Sequence, residues 1–428
     1  MAGAGAPPAD AGNSVSFMWR AFRYRNYRLF FGGQVVSLVG SWITMTATSW
    51  LVYRLTNSAL LLGVVGFASQ FPSFLLTPFA GIYVDRWNRH RLLVGTQVAS
   101  MLISFVLAAL TLSGTISIFW LIVVSVCSAI VNAFDMPGRQ AFVVLLIEDK
   151  RDLGNAIALN SSMFNAARLV GPSVAGAIIA LTSEGWCYFI DGVSYLAVIA
   201  ALLAMRVPQA QPAPASARVS PLQQFREGWT YAYGSRTIRS VISVIALVCL
   251  VGVPYTVLMP VFAAEILGGG AHTLGFLMTA TGGGALLGAL WLASRRNIAG
   301  LTRNIAVAGS VFSVGLMAFA LSRAMWLSVP LLVVSGFGFI VMVASSNTLL
   351  QTIVEDSKRG RVLSFFLMAY FGTTPFGSLV AGAVSERIGA PYTLVACGAL
   401  CLAGVAWFAT QLPALDEDMA PALARIKA

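Results

Sequence analysis

The sequence predicts an all-α integral membrane protein with 12 transmembrane helices in two six-helix bundles, and three observations carry that prediction. Of 428 residues, 58% are hydrophobic and only 10% charged, with mean hydropathy +0.81, which leaves too little polar surface for a solvated globule. The apolar residues fall into a dozen runs of about 20 residues, the length that crosses a hydrocarbon core of about 30 Å. The chain also echoes itself: LLIEDKRDLGNAIALN resembles QTIVEDSKRGRVLSF, Glu148-Asp149 and Glu355-Asp356 stand 207 positions apart, and Ala175-Gly176 resembles Ala381-Gly382. Two bundles related by an axis along the membrane normal form a transporter architecture around a central site.

In chain order, residues 1–17 are an Ala, Gly and Pro tail with no cleavable signal, expected to be disordered on the cytoplasmic side. The first bundle, 18–206, enters through Arg20, Arg23, Arg25 and Arg28 and holds spans near 28–53, 58–84, 91–113, 117–136, 156–181 and 186–205. Residues 207–235 form a cytoplasmic linker: QAQPAPASARVSP has too much Pro to span, and QQFREGWTYAYG can lie amphipathically on the membrane surface. The second bundle, 236–413, holds spans near 238–264, 273–293, 304–322, 326–351, 362–384 and 391–411, and 414–428 is a cytoplasmic tail.

Orientation follows from Lys and Arg, which concentrate in loops that stay cytoplasmic. All but four of the 27 basic residues fall in the chain ends and every second loop; the exceptions are Arg54, Arg323 and Arg387 in opposite loops and Arg168 inside a helix. Both termini are therefore expected in the cytoplasm. The net charge of +11 reflects topology and anionic lipid headgroups, with no nucleic acid partner. The five cysteines, Cys127, Cys187, Cys249, Cys397 and Cys401, lie in or at the ends of apolar runs as small packing residues. The two histidines, His90 and His272, sit in loops without a Cys or carboxylate cluster. No metal site, cofactor or enzyme activity is expected, and no G-x-x-x-x-G-K phosphate loop offers ATP as an energy source.

One polar break stands out. GIYVDRWNRHR, Gly81 to Arg91, places Asp85, Arg86, Arg89 and Arg91 between the second and third spans. Arginines there serve as topology markers, but an aspartate serves topology poorly. Gly81, Asp85, Arg86 and Arg89 fit G-x-x-x-D-R-x-x-R, which resembles the signature of the major facilitator superfamily. FRYRNYRLF, SWLVYRLTNSALLLG, AFDMPGRQAF, ALNSSMFNAARLVGPSVAG and EDSKRGRVLSF are similar to its multidrug and siderophore exporter branch, the group with the enterobactin exporters, and the likeness covers residues 18–411. The resemblance implies a gating latch. Asp85 would accept hydrogen bonds from the start of the eleventh helix, with Arg139 and with Arg359 and Arg361 of the Lys358 to Arg361 loop taking part. A carboxylate at a helix N-terminus is favoured by about 0.3–1 kcal/mol, which suits a latch that reopens. The counterpart GALWLASRRN keeps Arg295 and Arg296 but has no Asp.

Polar stripes mark candidate substrate contacts. Gln34, Ser37, Ser41, Thr44 and Thr48 recur at 3,4 spacing on one face of the first helix; Ser125, Ser128, Asn132 and Asp135 do so on the fourth, and Ser161, Asn165 and Arg168 on the fifth. Each stripe alone reads equally as helix packing. In the resembled fold the first, fourth, seventh and tenth helices line the cavity, which adds Tyr255 and Asn347, with Trp42 placed to stack on a planar ligand. In RLVGPSVAG, Gly171, Pro172 and Gly176 permit a bend and a close neighbour, and TGGGALLGA reads as close packing. Asp135, Arg168 and Asp191 are the ionisable residues inside spans and the proton-coupling candidates. Arg168 is expected near mid-bilayer and Asp191 roughly 7–8 Å deep, where the two either form a static pair or exchange a proton. Asp135 beside Arg139 reads as a loop anchor.

The expected activity is export of amphiphilic small molecules, siderophore-like or drug-like, from the bacterial inner membrane by a monomer that alternates access and exchanges substrate for protons. An importer, uniporter or lysolipid transporter would share these features. A non-transporting receptor would be expected to carry a soluble domain or long signalling loop.

Overall fold

The computed structural model describes residues 19–206, 229–295, 300–415 and 417–418. Among them, twelve helices are long and apolar enough to cross a membrane: α1 (Arg25–Thr56), α2 (Ala59–Ala80), α3 (Arg89–Leu112), α4 (Ile118–Leu146), α5 (Leu153–Leu181), α6 (Glu184–Ala204), α7 (Arg236–Ile266), α8 (Ala271–Ser294), α9 (Leu301–Leu321), α10 (Met325–Ile353), α11 (Lys358–Ile388) and α12 (Ala390–Thr410). Each matches one expected span. α4 departs most, running on past the expected end near 136. Asp135 and Arg139 pair across one turn there and carry the helix through Pro137.

Two spans are irregular. α2 is built from two helices, Ala59–Ala68 and Phe71–Arg86, the second continuing beyond the apolar span to Arg86 and opening at Pro72, where a missing N–H costs no helical bond. α7 carries π-turns at Val248–Gly252 and Phe262–Ile266 on either side of Pro254 and Pro260.

Both described chain ends lie on one face, called here the terminal face. On the opposite, far face the connections are tight: Asn57 (φ 47°), Gly114 (72°), Gly268 (60°) and Gly389 (85°) adopt the left-handed backbone that closes them. Trp120, Trp186 and Trp326 stand exposed at the far-face starts of α4, α6 and α10, as interfacial anchors do. Arg54, one of the few far-face cations, donates to Glu184 Oε1 at 2.8 Å and Oε2 at 3.0 Å, so its charge is answered locally. On the terminal face, Tyr24 donates to Asp152 at 2.9 Å and Arg23 pairs with the same carboxylate at 2.6 Å. His90 and His272 sit in first helical turns instead of loops, and His90 Nε2 faces the Leu202 carbonyl at 2.8 Å.

The first six helices form one bundle, with α1 packed on α5 and α6, and α3 on α6; the last six form the other, with α10 packed on α8 and α9, and α9 on α12. Residues 207–228 of the linker lie outside the described residues. Its last turn, 229–234, docks on α11: Trp229 meets Phe365 with centroids 5.8 Å apart, and Lys358 Nζ lies 4.3 Å from the Tyr231 ring centroid.

Candidate functional site

The halves meet along two crossings, α2 with α11 and α5 with α8, and small residues make both possible. A Cβ at Gly63 would stand 2.5 Å from the Ser378 carbonyl oxygen, and one at Gly382 would stand 2.6 Å from that of Ala59. At the other crossing, a Cβ at Gly176 would approach the Ala271 oxygen at 2.9 Å, and one at Gly275 the Pro172 oxygen at 2.6 Å. Gly176 and Gly382, equivalent positions of the sequence repeat, therefore do the same job in opposite halves. Gly171 faces the other way, against Trp42 of α1. In the TGGGALLGA run, Gly282 approaches Arg168 of α5 while Gly284 and Gly288 face α10.

Polar and aromatic contacts reinforce these crossings toward the far face. Glu386, at the end of α11, accepts from Ser58 Oγ and from the Leu60 backbone N–H, each at 3.1 Å, so its carboxylate caps the start of α2. Tyr53 donates to Glu265 across α1 and α7. Nearer mid-membrane, Ser173 and Thr279 hydroxyls lie 2.6 Å apart, and Thr279 donates to the Leu169 carbonyl at 3.1 Å. Phe67 stacks on Phe71 at 4.7 Å, and both meet Phe376 edge-on at 5.7 Å. The halves are thus joined from mid-membrane to the far face. Glu386 and Glu265 escaped sequence reasoning because each sits at a helix end beside a loop; the signal for Glu386 was its place opposite the Ser58 cap.

The polar stripe of α1 packs largely within the first bundle. It faces α6: Thr44 donates to Asp191 Oδ2 at 2.9 Å, the Ser41 hydroxyl lies 3.4 Å from that of Tyr195, and the Thr48 hydroxyl 3.2 Å from that of Tyr188. Gln34 and Ser37 are fully buried on the same side. Hydroxyls can join helices of one bundle as readily as they wet a cavity. On α4, Ser125 is buried while Ser128 and Asn132 are exposed; on α5, Ser161 is exposed and Asn165 half-buried, donating to the Ser161 carbonyl at 2.9 Å. Tyr255 is buried beside Phe312 at 6.2 Å, and Asn347 is half-buried on α10.

Arg168 and Asp191 do not pair. Asp191, 1% exposed, is held by hydroxyls alone, with Ser104 of α3 donating to Oδ2 at 2.8 Å alongside Thr44. Arg168 lies across α1, its guanidinium 5.9 Å from the Trp42 ring centroid, and Trp42 meets Phe164 edge-on at 5.7 Å. Trp42 and Thr44 are two residues apart, about 200° around a helix, so α1 stands between the two charges. Asp135 is buried at the α3–α4 contact, accepting from Thr96 at 2.8 Å and Gln97 at 2.7 Å and pairing with Arg139; because α4 continues to Leu146, these contacts lie within the helix and not at a loop.

Of the latch residues, Gly81, Asp85 and Arg86 belong to the helix Phe71–Arg86, but the Asp85 and Arg86 side chains lie outside the described ones. Arg89, Arg359 and Arg361 all make polar or ring contacts.

Residues 16–427 match the family model described as transmembrane secretion effector. The chain is 24% identical over 384 residues to the staphyloferrin A transporter of Staphylococcus aureus, covering 89% of this chain and 95% of that one. It is 24% identical to the multidrug efflux pump Tap of Mycobacterium tuberculosis, covering 90% and 93%. Among solved structures, a bacterial homologue of the human lysosomal transporter Spinster, in an inward-facing and occupied conformation, superposes with TM-score 0.71 at 15% identity, covering 90% of this chain and 96% of that one.

Proposed function

The chain belongs to the transmembrane secretion effector family of the major facilitator superfamily, and we propose that it exports amphiphilic small molecules from the bacterial cytoplasm by alternating access. It is a multi-pass efflux transporter and not an enzyme. Export of siderophore-like or drug-like compounds is the reading that its relatives favour, with proton antiport as the energy source and the inner membrane as its location. The observation that carries alternating access is the asymmetric junction, in which Glu386 caps α2 at the far face while both crossings lie between there and mid-membrane. The terminal face, rich in Lys and Arg, is then the cytoplasmic one, from which substrate would enter between the halves.

In the opposite state, the far face parts and Asp85 meets the start of α11 near Arg359 and Arg361. Asp85→Asn should leave insertion intact and reduce transport; an unchanged transport rate would remove this latch from the cycle. The export reading itself is tested in inside-out vesicles that have accumulated protons, with a fluorescent pH dye and a panel of siderophores, cationic drugs, macrolides and lysolipids. Dequenching by one compound, absent without the protein, is the expected result. Movement of a labelled compound without any proton signal would eliminate antiport, and movement of nothing would count against export.

A further inference from the structure

Among the described residues, one charge in the membrane interior stands without an opposite one. Arg168 sits midway along α5, where an ionised side chain is costly and normally finds a counter-charge. Arg54 and Arg139, by contrast, pair with Glu184 and Asp135. Arg168 has no carboxylate within ion-pair distance among the described residues, and Asp191 is shut away behind α1. Its guanidinium instead lies over Trp42, whose ring meets the exposed Phe164, and the residue as a whole is half-buried. The other half of the molecule comes close here, since a Cβ on Gly282 of α8 would stand 3.1 Å from the Arg168 carbonyl oxygen. A cation with aromatic neighbours, placed between the halves, has the composition of a binding point for an anionic group on an apolar body. Guanidinium is suited to this role because its fork holds a carboxylate or phosphate through two hydrogen bonds.

We propose that Arg168 is the anion-recognition residue of the substrate site and that the exported molecule carries a carboxylate beside an aromatic or apolar body, with Trp42 and Phe164 receiving that body. The inference rests on the export reading only for the word exported. Binding is therefore measured without transport, by equilibrium dialysis of the purified protein in detergent against labelled 2-naphthylacetate and its neutral counterpart 2-naphthylacetamide. Lysophosphatidylglycerol and lysophosphatidylcholine form a second pair that separates a lipid headgroup from a free anion.

The carboxylate should bind roughly tenfold tighter than the amide, the usual scale for a charge-assisted pair in a partly enclosed site. Arg168→Gln should abolish the difference without weakening the amide, and Arg168→Lys, which keeps the charge and loses the fork, should retain part of it. Equal or absent binding of the naphthyl pair by the wild-type chain overturns the proposal, as does a preference that survives in Arg168→Gln. Discrimination confined to the lysolipids overturns the carboxylate assignment in favour of a headgroup. Should Arg168→Gln fail to fold, the wild-type preference and the Arg168→Lys result still decide. A chain that discriminates the naphthyl pair but moves nothing across a membrane contradicts export alone.

Discussion

Asp191 is a carboxyl bound only by hydroxyls, so it can gain or lose a proton without breaking an ion pair, unlike Asp135 or Glu184. If antiport runs through it, Asp191→Asn should abolish the proton signal in the vesicle assay while substrate binding persists. A proton signal of ordinary size in that variant places the coupling elsewhere. Asp149, in the loop between α4 and α5, behaves differently: the hydrogen-bonded Arg151 guanidinium holds its carboxyl down to about 2. A lowered value means the contribution is complete above the ordinary carboxylate range and lost only as pH falls through about 2. The effect of Asp149→Asn on thermal stability should therefore be the same at about pH 5 and about pH 8; a change between them would show that the pairing does not hold in solution. Sequence placed Arg168 and Asp191 inside apolar spans, and both lie within α5 and α6, yet it gave no azimuth. Depth follows from counting residues, but which side of α1 each faces depends on how α5 and α6 pack around it, and that is tertiary information.

At the scale of the helix, twelve spans were legible because apolar length is a one-dimensional property. The α1 stripe was equally legible as a stripe and illegible as a destination, since 3,4 spacing specifies a face and not its neighbour. The repeat said more than its few matching residues suggested: Ala175-Gly176 and Ala381-Gly382 both mark helices that cross into the other half. A side chain at either glycine meets a carbonyl of the partner helix with no flexible end to yield. Gly382→Leu should therefore destabilise the far-face-closed state and lower the melting temperature by several degrees, consistent with overpacking at about 1–3 kcal/mol. Gly95→Leu, at a position with nothing within 4 Å, should serve as a neutral control. Comparable losses from both would show that the crossing has no special intolerance.

For the whole molecule, the expectation of a carboxylate on α2 meeting α11 has a counterpart with the roles exchanged at the opposite face, where Glu386 of α11 meets α2. Ser58→Cys with Glu386→Cys, oxidised to a disulfide, should stop transport, and reduction should restore it; undiminished export by the cross-linked protein would refute a cycle in which this face must open. Glu386→Gln should weaken the cap by about 0.3–1 kcal/mol and raise far-face labelling of introduced cysteines a few-fold. The contact of Gly63 with Gly382 has a further, mechanical consequence. It lies about 7 Å along α2 from Ser58 but about 33 Å from Asp85, at 1.5 Å per residue. Used as a fulcrum, it makes α2 a lever with arms near one to four, so that a parting of about 1 Å at the short end sweeps the long end through about 4 Å.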